Sequence, residues 1–336
     1  MDGPPSDAAV LPGRATAADV ARHAGVSRST VSRAFTPGRS VGEDARNRIL
    51  AAARDLGYEP DGLAKALISG RSGIVGILMG EMANPIHAVL HQSIGLHLQQ
   101  GGFIPISAQI GADTSTGQIV GMFRRYRAEA VILTSMHVSH DLIAACRKAG
   151  LNVLTLNRVV EDGTVPSICA DVEDGGRQAA AHMLATGRRR IAVARGVAGS
   201  WTAEFRAAGH LDGLARKAAS AHRVIEGGYG YADGVAAAQT IVEAGCDGVL
   251  CPNDLFAIGL MDTLRGRFDL RVPDDVSVIG FDDIPMADWD SYRLTTVRLP
   301  VGGLAERGAA AIRHGLGAAE PIAEWLPCRL VIRASA

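Results

Sequence analysis

Cysteine is scarce in this sequence, and its few copies are spread out. The 336 residues contain five cysteines, and no two of them form a C-x-x-C pair. An odd and scattered set of thiols favours neither a disulfide framework nor a zinc site. We therefore expect a cytoplasmic protein without a bound metal. The five thiols belong to Cys146, Cys169, Cys246, Cys251 and Cys328.

Long hydrophobic runs are also missing. No uncharged apolar stretch approaches the roughly 18 residues of a membrane-span candidate, so no membrane span is expected. Residues 1–15 have neither the cationic start nor the apolar run of a signal peptide. We interpret these residues as a disordered N-terminal arm.

Aromatic residues are few, and the net charge is small. Aromatic side chains make up 4% of the chain and hydrophobic ones 47%, which is typical of an alanine-rich, soluble α/β protein. The formal net charge of −1 hides an asymmetry, because residues 14–72 contain ten Lys and Arg against six Asp and Glu. Residues 14–72 are thus mildly basic, whereas the rest of the chain is acidic. This distribution fits a nucleic-acid contact confined to the N-terminal part of the chain.

The motifs of common enzyme classes are absent as well. The sequence has no nucleophile elbow, no H-E-x-x-H zinc motif and no G-x-x-x-x-G-K phosphate loop. The glycine-rich segment 227–234, GGYGYADG, lacks the preceding strand of a dinucleotide fingerprint. We therefore expect neither catalysis nor a cofactor.

Residues 16–35, TAADVARHAGVSRSTVSRAF, have the pattern of a helix-turn-helix DNA reader. Thr16 and Ser27 are suited to cap two short helices, and Gly25 is suited to the left-handed turn between them. The second helix places four polar residues on its outward side, where they can meet bases or phosphates: Arg28, Ser29, Ser32 and Arg33. The alternative is that these arginines are ordinary solvated charges.

A third helix is predicted over residues 41–57, with a buried stripe of Ala45, Ile49, Leu50, Ala53 and Leu56. Residues 59–72, EPDGLAKALISGRS, follow as a connector. They contain one short apolar helical repeat that is too short to be stable alone, so we expect it to fold only when DNA and a partner chain hold it. A passive linker is the alternative.

From residue 73 onward, short apolar runs alternate with helix-length amphipathic segments. This alternation predicts a parallel α/β architecture, and its length favours two similar lobes with a ligand cleft between them. The strand-like runs are GIVGILM, FIPIS, AVILT, NVLTL, RIAVA, DGVLC and VSVIG.

Several blocks, in order and at matching spacing, resemble the lactose-repressor (LacI/GalR) family of bacterial transcription regulators. They include ADVARHAGVSRSTVSRAF, NPIHAVL, GGRQAAAHMLATGRRRIAVA, CPNDLFAIGLMD and VPDDVSVIGFDDIPMADWDSYRLTTVRLPV. The resemblance implies a helix-turn-helix head (residues 16–60), a hinge helix and linker (61–72), and a two-lobed core (73–336) similar to periplasmic sugar-binding proteins. It also implies a homodimer on a pseudo-palindromic operator in double-stranded DNA, with repression as the commoner outcome.

The resemblance assigns roles to individual residues of the head and hinge. Arg28, Ser29 and Arg33 are expected to contact base edges. The residues expected to contact the DNA backbone are Thr16, Ser27, Thr30 and Ser32. In the hinge, Leu67 is expected to wedge into the minor groove beside Ala64 and Lys65.

The core is expected to bind a small carbohydrate-like effector, such as a sugar, a sugar acid or a polyol. A guanidinium, an amide and a carboxylate suit such a molecule, because together they donate to and accept from hydroxyl groups. The resemblance implies that the effector-binding residues are Ile86, His87, Asn157, Arg206, Tyr229, Asn253 and Asp282.

Two other functions share part of this pattern. A periplasmic binding protein would have the same core, but the head and the lack of a signal peptide argue against it. A nucleoid-type structural DNA binder would have the head, but no small molecule would change its affinity for DNA.

Overall fold

The computed structural model describes residues 15–35, 39–59, 71–80, 82–111, 114–134, 139–160, 165–219, 221–316 and 323–336. The expected arm, apart from Ala15, and the hinge residues Ala64, Lys65 and Leu67 lie outside these ranges. The chain divides into two compact units, Met1–Ser72 and Gly73–Ala336. No described helix is long and apolar enough to cross a membrane.

The described part of the first unit is a three-helix head. The predicted caps are confirmed: Thr16 and Asp19 form a capping box on the first helix, the Ser27 side chain accepts from the Thr30 amide at the start of the second, and Gly25 turns between them at φ 64°. The helices are α1 (Ala17–Ala24), α2 (Arg28–Ala34) and α3 (Glu43–Asp55).

The head packs around one small apolar cluster. Val20, Val31 and Ile49 are fully buried at its centre. The prediction that Leu50 is buried is wrong, since 38% of it is exposed, and Ala52 is buried on α3 instead. Ile49 and Ala53 are buried as predicted, so the buried face of α3 is only slightly rotated, away from Leu50 and toward Ala52.

The second unit consists of two lobes, each built on a six-stranded sheet. We call them the N-lobe, with strand order β11-β5-β4-β3-β1-β2, and the C-lobe, with order β12-β10-β9-β8-β6-β7. All pairings are parallel except that of β10 with β12. The strands are β1 (Ile74–Met79), β2 (Ile104–Gln109), β3 (Ala130–Leu133), β4 (Asn152–Leu156), β5 (Ser167–Asp171), β6 (Ile191–Ala194), β7 (Arg223–Ile225), β8 (Gly248–Leu250), β9 (Ser277–Asp282), β10 (Thr295–Arg298), β11 (Ala323–Pro327) and β12 (Arg329–Val331).

Helices cover both lobes, and their alternation with strands confirms the predicted α/β class. The N-lobe carries α4 (Pro85–Gln100), α5 (Thr116–Arg125), α6 (His140–Lys148) and α11 (Val301–His314). The C-lobe carries α7 (Val172–Ala185), α8 (Trp201–Ala215), α9 (Tyr231–Glu243) and α10 (Asp254–Phe268). All seven strand-like runs of the sequence are strands, whereas β5, β7, β10, β11, β12 and α11 were not predicted.

The chain crosses between the lobes three times among the described residues. It leaves the N-lobe after β5, returns between β10 and α11, and crosses again between β11 and β12. The carboxyl ends of the parallel strands of both lobes therefore face the same cleft, which is where sheets of this kind bind ligands.

Two pairs of C-lobe helices cross so closely that only glycine fits. A Cβ on Gly209 of α8 would lie 2.1 Å from the Glu173 carbonyl oxygen of α7, and one on Gly259 of α10 would lie 2.1 Å from the Tyr231 carbonyl oxygen of α9. Both neighbours are backbone atoms, which cannot move aside as a flexible side chain can.

We expect Gly209→Ala to destabilise the core by about 1–3 kcal/mol, because the helices must separate to admit the methyl group. Urea unfolding measures the decrease. Gly266→Ala is the matched control, since a Cβ there meets nothing within 4 Å, and alanine in an exposed helical position should stabilise by up to about 1 kcal/mol. Equal effects of the two substitutions would contradict the close crossing.

Candidate functional site

A cavity of about 800 Å³ lies between the two lobes, at the carboxyl ends of their strands. Residues of both lobes line it, and their side chains include apolar, amide, carboxylate, hydroxyl and guanidinium groups. Its volume lies within the range of small-molecule sites. The fold thus forms the cleft that the alternating sequence pattern predicts.

Asp282 is the central polar residue of this cavity. Its Oδ1 atom accepts from Arg206 at 3.2 Å and its Oδ2 atom accepts from the Asn84 side chain at 3.1 Å. Arg206 belongs to α8 of the C-lobe, whereas Asn84 caps α4 of the N-lobe. One carboxylate therefore links the two lobes directly.

The backbone at Asp282 is held in an uncommon conformation. Its φ is 109°, a value that side chains other than glycine rarely adopt, and Asp283 follows at φ 58°. Asp283 is bound by Arg298 and Arg333. Strain that the surroundings hold in place in this way occurs most often at ligand sites, so the geometry singles out the end of β9 as functional.

Arg206 is held from several sides. Its guanidinium carbon lies 3.8 Å from the centre of the Phe281 ring, and an Nη atom donates to the Pro252 carbonyl oxygen. Arg206 is 5% exposed, and its Nε atom has no hydrogen-bond partner among the described residues. One turn further along α8, the Nδ1 atom of the buried His210 also lacks a partner in the part of the chain that the structure describes.

Burial is the main influence on the pKa values of two carboxylates at this site, those of Asp282 and Asp254. Desolvation raises the pKa of Asp282 above its ordinary value, against the opposing effects of Arg206, Asn84 and His87. Desolvation raises the pKa of the neighbouring Asp254 still more strongly, and repulsion from Asp282 adds to the effect. Asp254 accepts from the Thr296 hydroxyl and the Ile284 amide, so its role is to hold the loop after β9.

The structure brings six of the seven predicted effector residues to the cavity wall. They are Ile86, His87, Asn157, Arg206, Tyr229 and Asp282. The Tyr229 hydroxyl lies 3.2 Å from the Ser200 hydroxyl, and the Asn157 side chain accepts from the Ala170 amide at 3.3 Å.

Asn253 is the exception, because it does not line the cavity. Its side chain accepts from the Phe256 amide at 2.9 Å, as the N-cap of α10, and donates to the Tyr229 carbonyl oxygen at 2.8 Å. It is fully buried. Asn253 therefore supports Tyr229 from behind and does not face the cavity itself.

Two residues that contribute to the site are not predicted by the sequence. Asn84 stands in the NPIHAVL block, where an asparagine before a proline indicates a helix cap and not a contact with the other lobe. Trp201 lines the cavity and stacks 5.5 Å from Trp325 of β11, across the lobes. Tryptophan is rare in this chain, with three copies, and that rarity was the one available signal.

His210 makes the stability of the core depend on pH. Burial, reinforced by the charge of Arg206, lowers the pKa of His210 to about 3 from its ordinary 6.5. Between these two values the unfolded chain binds a proton that the folded chain does not bind. The contribution of His210 to the free energy of unfolding therefore falls by about 1.4 kcal/mol for each pH unit below 6.5.

We expect His210→Phe to remove this dependence, because phenylalanine carries no titrating group. Relative to wild type, the variant should gain roughly 1.4 kcal/mol in free energy of unfolding between pH 7.5 and pH 5.5. Urea unfolding at the two pH values measures the gain, and the comparison cancels the contributions of other titrating groups. A difference that does not change with pH would show that the pKa of His210 is the same in the folded and the unfolded chain.

The head presents a second candidate surface. Arg28, Ser29 and Arg33 are exposed on α2, and neither arginine forms an ion pair with another described residue. The Ser27 hydroxyl lies 2.8 Å from both the Ser29 and the Thr30 hydroxyls, which fixes the amino end of α2. This exposed, cationic helix has the chemistry of a major-groove reader.

Two family models match the chain, one over the head and one over much of the core. Residues 16–61 match the model of bacterial regulatory proteins of the lacI family, and residues 180–336 match that of the periplasmic binding protein-like domain. The transcriptional regulator MalR of Streptomyces coelicolor is 31% identical, with 88% of each chain covered. The transcriptional regulator GalR of Escherichia coli is 28% identical, with 88% of this chain and 87% of that protein covered.

Solved structures show the same architecture over the whole length. A crystal structure of the lac repressor dimer, bound to operator and the anti-inducer ONPF, superposes with a TM-score of 0.84 at 26% identity, covering 96% of this chain and 99% of that one. The complex of the regulator CelR with cellobiose superposes with a TM-score of 0.72 at 27% identity, covering 96% of this chain and 100% of that one. The chain therefore belongs to the LacI family of bacterial regulatory proteins.

Proposed function

We propose that this protein is a sequence-specific DNA-binding repressor of transcription, whose affinity for its operator is controlled by a small molecule bound between the core lobes. The observation that carries the proposal is the link from Asn84 through Asp282 to Arg206, which joins both lobes at one cavity. A ligand that replaces any part of this link changes how the lobes are held together. The chain that carries this cavity also carries a helix-turn-helix head.

The head supplies the DNA contacts. We assign base reading to Arg28, Ser29 and Arg33, and contact with the sugar-phosphate backbone to Thr16, Ser27, Thr30 and Ser32. Exposed guanidinium groups suit guanine edges in the major groove, while hydroxyl groups near the helix ends suit phosphates. The minor-groove roles of Ala64, Lys65 and Leu67 rest on the resemblance of the sequence alone.

The effector is a polyhydroxylated molecule such as a sugar, a sugar acid or a polyol. The carboxylate of Asp282 accepts from paired hydroxyls, and the guanidinium of Arg206 donates to oxygens in a fixed fork. Asn157, Tyr229 and His87 supply further polar groups, and Ile86 supplies apolar surface. The cellobiose bound by CelR is a ligand of this class.

We also propose that the protein acts as a homodimer through one edge of its core. In the N-lobe, the edge strand β2 exposes 55% of Ile104, and Leu96 of α4 is 50% exposed. In the C-lobe, the edge strand β7 exposes 42% of Val224, and Tyr231 of α9 is 45% exposed. Since β2 and β7 end their sheets at corresponding positions, both lobes offer an unpaired apolar edge, which a second copy can cover.

Selection of bound sequences from a randomised duplex pool by the purified protein tests this function. We expect one palindromic motif, since two identical heads read two half-sites. Repeating the selection with single sugars, sugar acids and polyols should change recovery of that motif for one compound. Recovery without any motif would reject the DNA-reading role, while a motif indifferent to every compound would favour a structural DNA binder.

A further inference from the structure

One edge of the N-lobe lies where the chain enters the core. At this edge the Gly73 amide donates to the Glu129 carboxylate at 2.7 Å, and the Ile104 amide donates to the Gly73 carbonyl oxygen at 2.8 Å. The Asn152 amide donates to the Glu129 carbonyl oxygen at 3.2 Å. The amino ends of β1, β2, β3 and β4 are thus side by side here.

Because each helix of a parallel α/β lobe runs back to the start of the next strand, α5 and α6 end at this same edge. Their last turns carry four exposed cations, and none of these side chains has a hydrogen bond or ion pair with another described residue. We call them the basic edge: Arg124, Arg125, Arg147 and Lys148.

The charge of the basic edge is not balanced locally. Residues 121–130 and 144–152 contain one carboxylate, that of Glu129, which is already bound to the Gly73 amide. The whole chain is nearly neutral, with 34 Lys and Arg against 35 Asp and Glu. Tyr126, between two arginines, is 47% exposed and adds a hydroxyl donor.

Complementing the helix dipoles does not explain this concentration. A cation in the last turn of a helix is favourable, but α8 and α9 of the C-lobe end without any basic residue in that turn. The fold therefore tolerates helix ends without cations. Two cations also end α10 of the C-lobe, but Arg265 donates to the Ser291 carbonyl oxygen and Arg267 to the Gln239 side chain. The cations at the ends of α5 and α6 differ in having no such bond with another described residue.

The length of the connecting chain limits how far the start of the core can lie from the end of the head. Twelve residue steps separate Glu59, the last described residue of the head, from Arg71. Even a fully extended chain of that length spans no more than about 40 Å, which is roughly one turn of the DNA double helix. Tethering of this kind raises the effective concentration of the core at DNA that the head binds.

We propose that the basic edge is a second DNA-binding surface, which contacts phosphates of the duplex flanking the operator without reading its sequence. The proposal rests on the DNA-binding role of the head given above. Guanidinium and ammonium groups without protein partners suit phosphates, and their binding adds affinity that depends steeply on salt.

The test compares two duplexes at several salt concentrations, using the full-length protein. One duplex carries the selected motif alone, and the other carries the motif with about 12 base pairs of random sequence on each side. If no motif is selected, random duplexes of the same two lengths take their place. The variant is Arg124→Gln, Arg125→Gln, Arg147→Gln and Lys148→Gln combined.

A matched control removes the same charge from the C-lobe surface, through Arg189→Gln, Lys217→Gln, Arg267→Gln and Arg329→Gln. All four of these residues are exposed. Thermal melting of both variants checks that each remains folded.

We expect the edge variant to lose affinity for the long duplex only. The slope of log K against log salt concentration should become shallower by about 0.9 for each phosphate that the edge no longer neutralises, or by about 3 to 4 if all four cations bind DNA. The control variant should match wild type on both duplexes. An edge variant that matches wild type on the long duplex would overturn the proposal and leave an acidic protein as the partner. A separate variant tests whether the head binds DNA at all. If it does not, Arg28→Ala combined with Arg33→Ala would leave the affinities for the short and the long duplex unchanged.

Discussion

Replacing Arg28 and Arg33 together by alanine is expected to abolish sequence-specific binding while the head stays folded. Both side chains are exposed on α2 and hold no other described residue in place, so their removal costs little stability. Each bidentate contact of an arginine with a guanine contributes about 1–3 kcal/mol. The double variant should therefore bind the selected motif roughly 30- to 20,000-fold more weakly than wild type.

The measurement is the ratio of affinities for the selected motif and for a scrambled duplex, at one salt concentration. Arg48→Ala is the control, because Arg48 is exposed on α3 and its removal changes the charge of the head by one unit. We expect that variant to keep the ratio and to bind both duplexes slightly more weakly. A double variant that still prefers the motif would place base reading elsewhere.

Replacing Asp282 by asparagine is expected to abolish the effector response with operator binding retained. The substitution keeps the shape of the side chain but removes the charge that Arg206 and Asn84 share. Charge-assisted hydrogen bonds are about twice as strong as neutral ones, so both the ligand contact and the link between the lobes weaken. The affinity for the effector should fall at least about 30-fold, as when one partner of a hydrogen-bonded charge pair is removed from an interface.

The same substitution leaves Arg206 as a buried charge without its carboxylate, which destabilises a fold by about 3–5 kcal/mol. A second variant separates stability from the response. In Arg206→Met with Asp282→Leu, both charges are removed, and we expect much of that stability to return while the response stays absent. Titration of operator complexes with the active compound, together with urea unfolding, distinguishes the two effects. A normal response in either variant would move the effector site away from Asp282.

The head could be predicted almost completely from its sequence, because its signals are local. Thr16 and Asp19 cap a helix within four residues, and Gly25 supplies a left-handed turn that few other residues adopt. Leu50 is the failure, and its reason is also plain. Helical periodicity predicts an apolar stripe but not its exact rotation, which here is set by packing of α3 against α1 and α2.

The site could be predicted in part, because its residues are far apart in the chain. Asn84 and Asp282 are 198 residues apart, and only the docking of two lobes brings them to 3.1 Å. The side chain of Asn253 faces the Tyr229 carbonyl oxygen, and no sequence pattern reveals the position of that oxygen. Arg206 and Asp282 were predictable as residues of the site, whereas their mutual contact was not.

The central claim is that one small molecule, bound between the lobes, changes the affinity of the head for DNA. The most direct test titrates the protein onto its selected duplex with and without each sugar, sugar acid and polyol. We predict that one compound changes the dissociation constant by about 5- to 150-fold, as expected for coupling of 1–3 kcal/mol, and that Asp282→Asn removes the change. A compound that binds the cavity tightly but leaves the dissociation constant unaltered would contradict the account.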